Sequence, residues 1–263
     1  MIWVVTAVFV ACMVFGMPIV FALGIPGAIY ILLSDLPVTM IPAKMFSGVD
    51  VFVLLAIPMF IVAGNLMNFA GISIRLVRFS MAVVGSLPGG LAMVNIVSLM
   101  FCSGVTGAAS ADIAAVGSIL IPAMRKQGYS EGFCAALTSV ASSMGPIIPP
   151  SILFVVYGFM ANVSIASLFL AGVVPGVVIC LAMMITVYVL AKKHNYPSGD
   201  RFSFSVLLRE TKSASLALLL PVIIVGGMGL GVMTPTEVSG VAVILSFVFG
   251  KFIYKELQWR DIP

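Results

Sequence analysis

Ser103-Gly104-Val105-Thr106-Gly107-Ala108-Ala109-Ser110-Ala111-Asp112 is a polar, small-residue break inside otherwise apolar sequence. Glycines and small hydroxyl residues let a backbone leave helical geometry. Short apolar runs, 89–102 and 106–124, flank the break. The first has about 14 residues, ~21 Å of helix, against the ~30 Å of a bilayer core. Two short arms joined by a polar tip describe a hairpin that enters and leaves an apolar medium by one face. Non-helical backbone at membrane depth survives only when buried in protein or lining a wet cavity.

The rest of the chain makes that medium a bilayer. Of 263 residues, 62% are hydrophobic and 8% charged, against about 25% charged in a soluble domain. Stretches 1–34, 51–74, 132–191 and 213–236 carry no Asp, Glu, Lys or Arg. The start lacks the positively charged segment of a cleavable signal peptide, and Ile2 to Leu33 is read as one retained helix. The four cysteines, Cys12, Cys102, Cys134 and Cys180, lie in apolar segments at spacings too wide for a metal motif. They read as packing residues. The net charge of +4 is read as loop charge facing the cytoplasm, with no nucleic-acid partner.

Basic residues set the expected topology. With 89–124 as a hairpin, Arg75, Arg78, Arg125 and Lys126 share one face. A single crossing at 131–160 and a return at 164–191 add Lys192, Lys193, Arg201, Arg209 and Lys212 to it. Two more crossings add Lys251, Lys255 and Arg260, leaving only Lys44 opposite. The positive-inside rule makes that face cytoplasmic, with the N-terminus on it. Around Arg75 and Arg78, the pattern of Ile74, Leu76, Val77, Met81 and Val84 suggests an interfacial amphipathic helix or a plain loop helix.

A second break, Ser142-Ser143-Met144-Gly145-Pro146-Ile147-Ile148-Pro149-Pro150-Ser151, interrupts 131–160. Proline removes a backbone donor and costs ~3 kcal/mol or more inside a helix, so Pro149-Pro150 stops one. A broken helix exposes carbonyls of its first half and amides of its second, the parts from which secondary transporters build ion and substrate sites. At 103–112, freed carbonyls and hydroxyls are hard oxygen ligands for an alkali cation. The first amides of the returning arm carry partial positive charge suited to a carboxylate. Close packing through small residues is the competing reading. Asp112 either caps the returning helix or tunes an ion site electrostatically. Thr234-Pro235-Thr236-Glu237 reads as a helix start, and Asn65, Asn95 and Asn162 as interhelical hydrogen-bonding amides. No P-loop, zinc motif, dinucleotide fingerprint or nucleophile elbow is present. An enzyme is therefore not expected, and neither is a cofactor.

Several stretches together resemble the large membrane subunit of TRAP transporters, the DctM type. They are Ala56-Ile57-Pro58-Met59-Phe60-Ile61-Val62-Ala63-Gly64-Asn65-Leu66-Met67, residues 103–112, Ile121-Pro122-Ala123-Met124 with Gly128-Tyr129, residues 145–151, Leu170-Ala171-Gly172-Val173-Val174-Pro175-Gly176, and residues 234–237. The resemblance implies an all-α polytopic membrane protein, the first inverted repeat of an elevator-type transporter with a re-entrant helical hairpin and a broken transmembrane helix. It implies sodium-coupled import of small organic acids through a cell membrane. The implied partners are a periplasmic substrate-binding protein and a small TRAP membrane subunit.

Carried onto this chain, the resemblance places a sodium site at Ser103, Thr106, Gly145, Ile148 and Pro150. Substrate contacts are expected at Gly104, Ser110, Ser142 and Ser143. The expected division is scaffold helices at 1–72, an arm helix at 73–88, a transport-domain half at 89–163 and connecting helices with the start of a second repeat at 164–263. Members of the family are longer, so the chain is expected to be a fragment, a truncated reading frame or one piece of a split subunit that cannot transport alone. The alternatives are another elevator-type anion symporter, proton-coupled through Asp112 or sodium-coupled, a non-transporting membrane scaffold, and a channel.

Overall fold

A computed structural model describes residues 1–34, 36–194, 196–199 and 201–258. Arg260, assigned to the basic face from sequence, lies outside them. Among the described residues every regular element is helical, apart from one isolated antiparallel bridge between Pro88 and Ser198. The chain forms two units, Met1–Val51 and Phe52–Pro263.

The first unit holds α1 (Ile2–Val14), α2 (Ile19–Leu33) and α3 (Met40–Val49). The single helix expected from Ile2 to Leu33 is corrected: it is a hairpin. Gly16 takes φ +70°, its N–H reaches Met13 O at 3.1 Å and the Met17 N–H reaches Cys12 O at 3.0 Å, the pattern of a glycine-terminated helix. Pro18 then precedes α2, where its missing N–H leaves no bond unmade. The Ser34 hydroxyl lies 3.7 Å from Met1 Sδ, so the free ends of the two arms meet. A cytoplasmic N-terminus follows from one crossing at 2–33, and the two helices α1 and α2 do not supply that single crossing.

The second unit is organised around one helix. In order it contains α4 (Ala56–Phe69), led by a tight turn at Phe52–Leu55, α5 (Ile72–Val84) and α6 (Gly90–Thr106). The chain then returns through α7 (Ala109–Asp112), a π-helical turn at Ile113–Gly117 and α8 (Ser118–Lys126). Next come α9 (Glu131–Ser142), α10 (Ile152–Ala161), α11 (Ile165–His194), α12 (Phe204–Gly229) and α13 (Pro235–Val248), the last running into a wide turn at Phe249–Ile253.

Every residue of α6 except Met100 and Phe101 is buried. A helix apolar on all sides is stable only when surrounded, and α4, α5, α8, α9, α11 and α12 all pack on this one. The amphipathic α5 lays Ile72, Leu76, Val77, Ser80 and Val84 inward, against α6 and α12.

Among the described residues four helical stretches are long and apolar enough to cross a bilayer: Phe52–Phe69, Ile165–His194, Phe204–Gly229 and Pro235–Ile253. Their outer faces are apolar too, with Val174 on α11 68% exposed and Val222 on α12 64% exposed. A lipid-facing surface explains this, whereas a water-facing one would carry charge. The four cysteines are free and buried, as packing residues. Thr234 and Glu237 form a complete capping box at the start of α13, as the helix-start reading of that tetrapeptide expects.

Candidate functional site

The hairpin at 89–124 folds back at Gly107, which closes α6 at φ +62° with its N–H on Ser103 O at 3.1 Å. Ala108 is extended, and the chain turns into α7. Along the arms, Asn95 Nδ2 approaches Met124 Sδ at 3.9 Å and reaches Thr138 Oγ1 at 2.7 Å. One buried amide therefore joins both arms of the hairpin to α9.

The tip is seated on the helix break. A Cβ on Gly107 would overlap the Pro150 carbonyl oxygen, and one on Gly145 would come within 3.0 Å of the Ala109 amide nitrogen. Glycine is required at the first of these approaches, and the second leaves little room for a side chain. From the other sides, a Cβ on Gly64 of α4 would lie 3.2 Å from Thr106 Cα, and one on Gly104 3.3 Å from Pro221 of α12. Behind the break, Gly172 and Gly176 of α11 make room for the Ile147 carbonyl and the Ile148 side chain. The spacing of four puts both glycines on one helix face.

Asp112 is fully buried and accepts two hydrogen bonds across the turn, from Thr106 Oγ1 at 2.6 Å and Ser103 Oγ at 3.0 Å. The capping role weighed for it from sequence is corrected. It sits at the fourth position of α7, whose start has no side-chain cap. Its carboxyl ties the two arms together. A π-turn follows it immediately, a distortion frequent at functional sites.

The break between α9 and α10 is closed by Ser151. Its hydroxyl donates to Pro146 O at 2.6 Å and accepts from the Phe154 N–H at 3.2 Å. Met144 O takes the N–H groups of Ile147 and Ile148, and Ser142 O that of Gly145. Among the described residues none donates to the carbonyl oxygens of Gly145, Ile148 or Pro150. Buried carbonyls are normally paired, and of these three oxygens that of Pro150 lies against Gly107 at the hairpin tip.

The chain whose hairpin tip packs against this break matches, by sequence, the family model for the tripartite ATP-independent periplasmic transporter, DctM component, over residues 6–263. The chain belongs to this family. It is 38% identical over 243 residues to the sialic acid TRAP transporter large permease protein SiaM of Vibrio cholerae, covering 92% of this chain and 57% of that protein. The C4-dicarboxylate TRAP transporter large permease protein DctM of the same organism is 38% identical over 250 residues, or 94% and 55%. The sialic acid TRAP transporter permease protein SiaT of Haemophilus influenzae is 38% identical over 262 residues, or 99% and 42%. The chain thus spans about half the length of these relatives. The family and these relatives are transporter permeases, not enzymes, and the chain is a multi-pass membrane protein.

In this DctM-type chain the five residues named for a cation divide between two facing segments. Ser103 and Thr106 lie on the last turn of α6, and Gly145, Ile148 and Pro150 in the break. Of the four named for substrate, Gly104 is buried beneath Pro221, and the buried Ser142 donates its hydroxyl to Ser139 O at 2.8 Å. Ser110 and Ser143 are exposed. They flank the contact of Ala109 with Gly145.

Sequence reading gave four contributors no role in the site: Ser151, Thr138, Gly172 and Gly176. A serine directly after Pro-Pro and before an apolar run is a helix-start signal, which marks Ser151. Thr138 had no signal that set it apart from Ser139 and Ser142 on the same helix. Gly172 and Gly176 carry the small-xxx-small spacing of close helix contacts. The Asn65 side chain is exposed and makes no hydrogen bond among the described residues, while Asn162 ends α10 in the left-handed conformation.

Proposed function

We propose that the chain forms the hairpin-and-broken-helix half of a sodium-coupled TRAP-type importer of small organic acids in a bacterial inner membrane. A periplasmic binding protein delivers the acid, and a small TRAP membrane subunit completes the assembly. The observation that carries this reading is the seating of the hairpin tip on the break, where the Pro150 carbonyl lies against Gly107 and Gly145 against Ala109, next in sequence to the Ser103–Thr106–Asp112 cluster. Oxygen-only ligation suits a hard alkali cation.

In the proposed site, Thr106 donates its proton to Asp112 and Ser103 shares its one proton between Leu99 O at 2.7 Å and Asp112 at 3.0 Å, which leaves the lone pairs of both hydroxyls to the ion. Asp112 contributes long-range negative potential from one hydrogen bond away. Sodium, once held, fixes the tip against the break and shapes the seam where Ser110 and Ser143 are exposed. The organic acid binds along that seam, with Gly104 and Ser142 supporting it from beneath. Relatives named for sialic acid and C4-dicarboxylates support a carboxylate substrate.

The test is sodium-dependent uptake by the full-length permease with its partners in vesicles. Ser103→Ala and Gly145→Ala are each expected to raise the sodium concentration for half-maximal uptake about tenfold, with membrane expression retained. An unchanged sodium response in both variants removes the site assignment. Uptake driven by a proton gradient without sodium replaces the coupling ion.

A further inference from the structure

A cavity of about 390 Å³ opens between the C-terminal half of α5 and the first turns of α12. Its charged lining is three guanidinium groups, Arg78, Arg201 and Arg209, and one carboxylate, Glu210. Glu210 pairs with Arg209 through Nε at 3.0 Å, so the lining is positive through Arg78 and Arg201.

The start of α12 adds to that charge. The Ser203 side chain makes no cap hydrogen bond there, and the first turn holds no acidic residue. Its leading amides therefore present their partial positive charge to the cavity. The capping box of α13 shows the same chain closing a helix start where no positive potential is kept.

The cavity is built rather than incidental. The Gly199 N–H donates to Gly85 O at 3.0 Å, and Pro88 bridges Ser198. These bonds pin the segment before Arg201 to the turn after α5. Met81, Phe202 and Val206 line the same cavity and are exposed. Beyond Lys212, α12 carries no charged residue. The cavity thus lies where charged sequence gives way to lipid-compatible sequence, the depth of lipid headgroups.

We propose that this cavity binds the phosphodiester headgroup of an anionic phospholipid, whose acyl chains run along Met81, Phe202 and Val206. Arginine suits phosphate because its planar fork can donate two parallel hydrogen bonds. A free phosphate ion would use the same arginines, but the apolar rim would contribute nothing to holding it.

The purified full chain in detergent, with any membrane partner that co-purifies, is titrated with phosphatidylglycerol. Bound lipid is counted by native mass spectrometry. Arg78→Gln and Arg201→Gln are each expected to weaken binding about fivefold, the equivalent of ~1 kcal/mol per basic residue. The double variant weakens it at least tenfold. Glu210→Gln, which frees Arg209, strengthens it about twofold or more. Replacing Lys192 and Lys193 by Gln, at the end of α11 and outside the cavity, changes it less than twofold. Unchanged binding in the arginine double variant overturns the proposal. Should that variant not fold, no loss in either single variant does so. Binding of inorganic phosphate with the same arginine dependence, while phosphatidylglycerol shows none, also overturns the proposal and makes this a soluble-anion site.

Discussion

The α1–α2 hairpin and the hairpin that joins α6 to α7 and α8 both turn on a left-handed glycine, Gly16 at φ +70° and Gly107 at φ +62°. Their surroundings differ. A Cβ on Gly16 would meet nothing within 4 Å, whereas one on Gly107 would overlap the Pro150 carbonyl. The first turn, at 15–18, contains no hydroxyl or carboxyl. The second is followed within five residues by the buried Asp112, held by two hydroxyls. In α1 only Cys12 is buried, while in α6 nearly every residue is. A glycine and a helix stop are enough to fold two apolar arms together. Burial against a second interrupted helix, with polar groups at the tip, turns that fold into a site.

The largest expected effect separates the two glycines. A non-glycine residue in the left-handed region costs roughly 1–2 kcal/mol, and both Gly16→Ala and Gly107→Ala incur that. Only Gly107→Ala must also push the tip off the break. It is expected to lower uptake at least tenfold and to depress the thermal midpoint of the purified protein by several degrees. Gly16→Ala should lose about 1 kcal/mol of stability and keep uptake within about twofold. Equal losses in the two would show that the seating on Pro150 does nothing beyond turning the chain.

A smaller effect tests whether the tip is a site or only a tight turn. Asp112→Ala leaves the Ser103 and Thr106 hydroxyls with only Leu99 O at 2.7 Å and Cys102 O at 3.4 Å as acceptors. The stability loss is expected at about 2 kcal/mol, with roughly half of that for Asp112→Asn, which keeps an acceptor oxygen. Sodium should raise the thermal midpoint of the unaltered protein, because a ligand bound only by the folded state stabilises it. That rise should vanish in Asp112→Ala and shrink in Asp112→Asn. A full sodium response in Asp112→Ala would make this carboxyl a strut between the arms.

Much of this was legible in the residues. The polar run at 103–112 marked the tip, and Pro149-Pro150 with Gly145 marked the break, because glycine and proline act locally on the backbone. The contact between the two segments followed only from the family resemblance, since no periodicity links residue 107 to residue 150. The hairpin at α1 and α2 went unread although it has the same local grammar as the second. Gly16-Met17-Pro18 sits in an unbroken apolar run, and length alone suggested one crossing. The capping alternative for Asp112 fails for a related reason. Position at a helix start suggests a cap, but its partners lie on the opposite arm, which only the three-dimensional fold brings near. Arg78 and Arg201 were placed on one face by charge counting, yet nothing in the sequence puts them in one cavity.

Effects on stability alone come from the polar contacts that hold each hairpin along its length. Asn95 of α6 donates to Thr138 of α9 at 2.7 Å, both side chains are buried, and the Asn95 Oδ1 atom has no partner. Thr138 also donates to Cys134 O at 2.8 Å, so Asn95→Leu strands nothing. It removes one unpaired oxygen along with the bond, and the net loss is expected below about 1 kcal/mol. Thr138→Val leaves the Asn95 amide buried with only a distant sulfur, at an expected loss of ~1–3 kcal/mol. The double variant should recover most of that difference, a coupling measurable by thermal melting. In the first hairpin the corresponding contact is the exposed Ser34 hydroxyl near Met1 Sδ. Ser34→Ala is expected to change stability by less than about 0.5 kcal/mol. A loss there as large as that of Thr138→Val would mean that the first hairpin is held by polar contacts, and would break the distinction between an apolar turn and a polar site.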